Sequence, residues 1–162
     1  MASHLISLSQ YNLWANIKIG QFINEAGERS ADETLISSFP TIRKTLYHLW
    51  DAQEIWLKRL KGESIKNWPS QNFTGTLSES IDLMLESSAE FVRFTENIPE
   101  LEHIAPIKYH AIDGTSYQNT VEEIILHVMN HGTYHRGQLI TMLRNAGYTN
   151  VNSTDMIRFF RE

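Results

Sequence analysis

Apolar residues recur at intervals of three and four along most of the chain, the period of helices that bury one face. In the first stretch Leu8, Tyr11, Ala15, Ile19, Phe22 and Ala26 keep that spacing, and Gly27 predicts a left-handed end to the helix. The second stretch starts near Pro40, a residue suited to a first helical turn, and carries Ile42, Leu46, Leu49, Gln53, Trp56 and Leu60. Lys58, Arg59 and Lys61 crowd its last turn, where cations complement the helix dipole, and Gly62 stops it. Residues 62–75 hold Gly62, Pro69 and Gly75 and predict a loop.

Thr76 and Glu79 then form a capping box, followed by Leu77, Ile81, Met84, Leu85, Ser88, Phe91, Val92 and Thr95, until Asn97-Ile-Pro99 ends the helix. Residues 104–118 change texture. Ile107, Tyr109 and Ala111 alternate with Lys108 and His110, and Asp113-Gly114 supplies a turn, the pattern of a small hairpin. Thr120 and Glu123 make a second capping box for a stretch that runs to about Ala146, closed by Gly147. A short last helix starts at Ser153 or Thr154 and covers Met156 to Phe160. The expected fold is all-α: a single domain over residues 1–162, built as a four-helix bundle with a short irregular or hairpin insert and a short C-terminal helix. Its long connections point to crossovers rather than a simple up-and-down order.

The stripe of the fourth helix contains the chemistry. Val121, Ile124, Ile125 and Val128 define it from the start, and Ala146, Leu143, Met142 and Leu139 from the end. Between them the stripe passes through His131, Gly132 and His135, where the pattern calls for Leu or Val. Two imidazoles in a bundle core are costly unless their nitrogens find partners. Four residues apart, they stack on one helix face with Cβ atoms about 6 Å apart, a spacing at which both can reach one metal ion. His127 precedes His131 by the same interval, so spacing alone allows either 127 with 131 or 131 with 135. A third ligand has to come from another helix, and His48, mid-helix on the shoulder of the second stripe, is the best placed. His4, His103 and His110 are expected at the surface, and the Trp, Phe and Met residues in the core.

Composition narrows the chemistry. The chain of 162 residues has no cysteine, which excludes disulfides, iron–sulfur clusters, cysteine zinc sites and a thiol nucleophile of its own. Its formal charge of −5, with no basic run, argues against nucleic-acid binding and against a polybasic membrane anchor. The N-terminal segment lacks a basic, apolar leader and no stretch is long enough to span a membrane, so a cytoplasmic location is expected. There is no G-x-S-x-G elbow, P-loop, dinucleotide fingerprint or H-E-x-x-H helix.

The run Leu126-His-Val-Met-Asn-His131-Gly-Thr-Tyr-His135-Arg-Gly-Gln138 resembles the C-terminal signature of the DinB family (DinB/YfiT-like). Thr45-Leu-Tyr-His48-Leu-Trp-Asp-Ala-Gln-Glu-Ile-Trp56 is similar to its second-helix signature, and Tyr11-Asn-Leu-Trp-Ala-Asn16 also fits. The resemblance implies a four-helix bundle, often a homodimer, and carries the family's metal triad onto His48, His131 and His135, selecting the second register. It implies a divalent metal ion, nickel or zinc and less often iron, with solvent completing the shell. Relatives include S-transferases that use bacillithiol or glutathione and a mycothiol-dependent isomerase. The function expected on this basis is transfer of a small-molecule thiol to an electrophilic substrate. The alternatives are a non-catalytic metal-binding stress-response bundle and a metal-dependent hydrolase. Tyr47, Asn130, Tyr134 and Gln138 are candidates for contacts around the ligands, with no catalytic residue assigned.

Overall fold

A computed structural model describes residues 2–162, with side chains from residue 4 onward. The helices are α1 (Ala2–Ala31), α2 (Ile42–Leu60), α3 (Leu77–Asn97), α4 (Val121–Asn145) and the short α5 (Met156–Phe159). Strands β1 (Pro106–His110) and β2 (Ser116–Thr120) pair antiparallel in the expected hairpin, with Tyr109 opposite Tyr117.

Local signals set most boundaries. Both capping boxes form: Thr76 with Glu79 starts α3, and Thr120 with Glu123 starts α4. Two boundaries differ from the sequence expectation. Pro40 lies outside α2, because the Thr41 side chain accepts from the Lys44 N–H and makes Thr41 the N-cap. Gly27 does adopt positive φ (80°), but the chain resumes a helical turn to Ala31 instead of stopping. That extra turn presents Glu28 and Asp32 to Arg43 at the start of α2. Glu28 also accepts from the Leu77 N–H at 3.1 Å, so one carboxylate ties together the end of α1 and the starts of α2 and α3. Within 62–75, expected as loop, Pro69–Asn72 forms a 3-10 turn packed on α2. There Asp51 accepts from both the N–H and the Oγ of Ser70, at 2.7 Å each.

Around the bundle, α1 and α2 each pack against α3 and α4, and barely touch one another across the diagonal. Ser9 with Thr95 and Asn16 with Ser88 place α1 antiparallel to α3. Thr45 with Met142 and His48 with His131 place α2 antiparallel to α4. Asn16 with Arg136 and Phe22 with Tyr148 make α1 and α4 parallel. The connections α1–α2 and α3–α4 therefore both cross the bundle, as their length suggests. Gly20 allows the close approach of α1 to α3, since a Cβ there would lie 2.8 Å from Ile81 Cγ2.

The core has two apolar ends and a polar middle. One end gathers Ile19, Ile23, Leu46, Leu49, Met84, Leu139 and Met142. The other gathers Leu5, Leu57, Phe91, Ile124, Ile125 and Val128. Between them Gln53 is buried with its Oε1 accepting from Asn12 (2.8 Å), Asn16 (3.2 Å) and Ser88 (2.8 Å). Its amide donates to Met84 O and Ser87 Oγ. The carbonyl oxygens of Asn12 and Asn16 in turn accept from Arg136 Nη1. A buried polar network that leaves few groups unpaired fixes one register among helices that apolar packing alone allows to slide. It anchors α4 at the residue next to His135.

Candidate metal centre

His48 comes from the second turn of α2, and His131 and His135 from successive turns of α4. His48 Nε2 lies 2.9 Å from His131 Nε2. Ring centroids are 4.8 Å apart for His48 and His131, 4.6 Å for His48 and His135, and 4.4 Å for His131 and His135. One nitrogen from each ring falls within 4.8 Å of the other two, the only such group of three or more potential ligands among the described residues. His127 lies outside it. Its ring is 5.8 Å from that of His131 and packs edge-on to Trp56 at 5.1 Å. The geometry thus joins His48 to the 131/135 pair and leaves the 127/131 register aside.

Two neighbours orient the rings. His135 Nδ1 sits 2.7 Å from Gln138 Oε1, and Gln138 Nε2 donates to Ser38 Oγ at 2.7 Å. With the amide turned that way, Oε1 accepts the Nδ1 proton and leaves the His135 Nε2 lone pair free to ligate. Phe39 packs its ring against His48 at 4.5 Å and against His135 at 5.9 Å, covering one side of the cluster. Among the four sequence candidates for surrounding contacts, Gln138 makes this hydrogen bond and Tyr134 packs its ring on His135 at 4.9 Å while remaining exposed. Tyr47 is buried against Trp50 and Phe73, and Asn130 is exposed.

The donor set fits a divalent ion. Two imidazole nitrogens that share an ion at about 2 Å each lie about 3.0–3.4 Å apart, within a few tenths of an ångström of the 2.9 Å between His48 and His131. Burial, and then the neighbouring His135, push His48 down to about 4. Burial, followed by His135, His48 and His127, pushes His131 down to about 3. His135 is also lowered by burial, with the Gln138 hydrogen bond opposing. All three are neutral at physiological pH, the protonation state that ligation requires.

The cluster borders two cavities that share His48 and Trp68. The larger, about 650 Å³, is lined by His48, His131, His127, Ala52, Ile55, Trp56, Arg59 and Trp68, and on the hairpin side by Ala111, Ile112 and Asp113. The smaller, about 470 Å³, runs past Phe39, Lys44, Tyr47, Asp51, Ser70 and Gln71. Trp68, expected in the core, is 44% exposed at the junction of the two. Trp14 and Trp56 are half-buried and Phe160 is exposed. His103, expected at the surface, is buried beside the start of β1, because its segment folds back so that His103 O accepts from the Glu122 N–H. His4 and His110 are exposed, as expected. Phe39, Arg59 and the hairpin turn were not distinguished in the sequence as parts of a site. They reach it through loop and hairpin folding that apolar periodicity does not encode.

Comparison with known proteins agrees with this architecture. The chain is 29% identical over 155 residues to Protein DinB of Bacillus subtilis (strain 168), covering 91% of this chain and 89% of that protein. Among solved structures it resembles YfiT from Bacillus subtilis, described as a probable metal-dependent hydrolase with an unusual four-helix bundle topology. The TM-score is 0.68 at 18% identity, covering 88% of this chain and 87% of that one. The family model for the DinB family matches residues 1–161, so the chain belongs to the DinB family.

Proposed function

We propose that the protein is a metal-dependent enzyme that transfers a small-molecule thiol to an electrophile held in the 650 Å³ cavity. The supporting observation is a cluster of three neutral imidazoles, with no carboxylate in the set, bordering a cavity large enough for a drug-sized ligand. A divalent ion held by His48, His131 and His135, nickel or zinc for this donor set, supplies a positive centre that favours the deprotonated form of a thiol at neutral pH.

The chain's own residues do the rest. Ala52, Ile55, Trp56, Trp68 and Ile112 give the cavity an apolar wall that holds the carbon skeleton of the electrophile. Gln138 keeps the His135 lone pair directed at the cluster. The carboxylates on the cavity walls are already engaged: Asp113 accepts from the Thr115 N–H, and Asp51 accepts twice from Ser70. Both are held by these bonds and neither belongs to the histidine cluster, which favours a nucleophile activated without a carboxylate base. The thiol is a cosubstrate because the chain has no cysteine.

Hydrolysis is the second proposal. It is favoured by His127, a neutral imidazole on the wall of the same cavity beside His131, and by the description of YfiT. The test is turnover of monobromobimane with small thiols, and of 4-nitrophenyl acetate with water, by metal-loaded protein against a His131→Ala variant. Thiol-dependent loss of the bimane above the variant supports transfer. Ester cleavage alone supports hydrolysis. No turnover of either supports a non-catalytic metal-binding bundle and overturns both.

A further inference from the structure

Arg59 lies in the last turn of α2 and forms part of the wall of the cavity that borders the histidines. It is only 7% exposed, yet no carboxylate lies within ion-pair distance of it among the described residues. Its Nε has no hydrogen-bond partner, and Nη2 makes one long contact of 3.3 Å to His110 O. The guanidinium is held between the rings of Trp56, at 4.4 Å, and Tyr109, at 4.8 Å. A cation so held is pre-oriented, but two aromatic faces do not replace the solvation it has lost. Asp113 shares the cavity, but its carboxylate is tied to Thr115 in the hairpin turn.

Arg136 offers a contrast within the same fold. That guanidinium is also buried without a carboxylate, but it donates to Asn12, Asn16 and Thr133 and lines none of the cavities described above. Arg136 is a structural cation with neutral partners. Each leaves its Nε without a partner, but Arg59 lines a cavity and has a single long contact, to His110 O, where Arg136 makes three hydrogen bonds.

We propose that Arg59 is the anion-recognition residue of this cavity, and that the substrate bound there carries a carboxylate at the end remote from the histidines. Arg59 follows His48 by eleven positions on α2, about 16 Å of rise and close to whole turns, so the two share a helix face. The substrate is therefore elongated, with its reacting end at the histidines, an apolar middle along Ala52, Ile55 and Trp56, and its anion at Arg59. Guanidinium and carboxylate pair through two parallel hydrogen bonds, which supplies the partner Arg59 lacks. The proposal rests on the proposed function only for which end of the substrate reacts; the anion site itself does not require a metal.

The test uses calorimetric titration with two probe pairs. Metal-loaded wild-type protein is titrated with 6-mercaptohexanoate and with 6-mercapto-1-hexanol, which differ only at the far end. Metal-free wild-type protein is titrated with hexanoate and with 1-hexanol. The expected result is a carboxylate preference of about tenfold or more in both states. It should fall to near unity in Arg59→Met, which keeps a long apolar stem between Trp56 and Tyr109, while affinity for the alcohols is unchanged. Arg59→Lys, which retains charge without the planar fork, should keep part of the preference and guards against a Met variant that fails to fold. Equal binding of acid and alcohol by wild-type protein overturns the proposal, as does a preference that survives Arg59→Met. A preference confined to the metal-loaded state assigns the carboxylate to the metal and also overturns it. Carboxylate preference in both states without thiol transfer would overturn the proposed function and leave the anion site standing.

Discussion

Gly132 sits where a side chain would collide with Asn12: a Cβ there would lie 2.7 Å from Asn12 Oδ1 and 2.9 Å from Arg136 Nη1. The gap in the stripe of α4 between His131 and His135 is therefore the passage through which Arg136 reaches α1. Gly132→Ala should force Arg136 off Asn12, leave polar groups unpaired in the core and destabilise by about 1–3 kcal/mol. Gly137, five residues on in the same helix, has nothing within 4 Å of a built Cβ. Gly137→Ala should instead stabilise by about 0.5–1 kcal/mol through helix propensity. Urea unfolding of the two variants checks both signs, and a Gly132→Ala midpoint at or above that of wild type contradicts the first.

Gln138 acts on the centre only through His135. Gln138→Leu keeps much of the volume but removes the acceptor, so the His135 tautomer and ring orientation are no longer fixed. Metal affinity should fall about 10–100-fold, read by competition with a chelator, while helical content by circular dichroism stays the same. Gln138→Glu places a carboxylate at the same nitrogen and should match or exceed wild-type affinity. Equal affinity in wild type and Gln138→Leu would remove Gln138 from this role.

Acid should destabilise the metal-free protein in a definable window. His48 and His131 are held to about 4 and about 3 in the fold, against about 6.5 for an unfolded histidine. As pH falls below about 6.5 the unfolded chain takes up protons that these half-buried imidazoles refuse, so it binds more protons than the folded state and stability drops. The stability these groups contribute is present above about 6.5 and is lost as pH falls toward 4. The urea midpoint of metal-free protein, followed from pH 7.5 to 4.5, should decline through that interval, and less steeply in His131→Ala. A midpoint independent of pH across it contradicts a neutral His48–His131 pair in the fold.

Much of this was legible in the sequence because it is written in local patterns. The two capping boxes start α3 and α4 at the expected residues, and the apolar stripes give the buried faces of all four long helices. The interruption of the α4 stripe by His131, Gly132 and His135 marked the site, and His48 followed as the histidine of the facing helix. Other features depend on long-range folding. Periodicity cannot show that Ser38 and Phe39, in a connection without regular structure, come to rest on Gln138 and His48. Nor can it show that the hairpin turn joins Arg59 in lining one cavity. Arg59 itself fits a helix-terminal cation in sequence, and its unpaired burial appears only when Trp56 and Tyr109 meet around it. His103 misled for the same reason: a polar residue in an irregular segment predicts exposure, and only the return of that segment onto the start of α4 buries it.

Joint binding of one divalent ion by His48, His131 and His135 is directly measurable. It is tested most directly by elemental analysis of untagged protein beside a His131→Ala variant, before and after soaking with nickel or zinc. Close to one ion per chain in wild type, lost in the variant and accompanied by a metal-dependent rise in Tm, is the result predicted. Wild-type protein that contains no metal and takes up none, or a variant that binds as well as wild type, would contradict it.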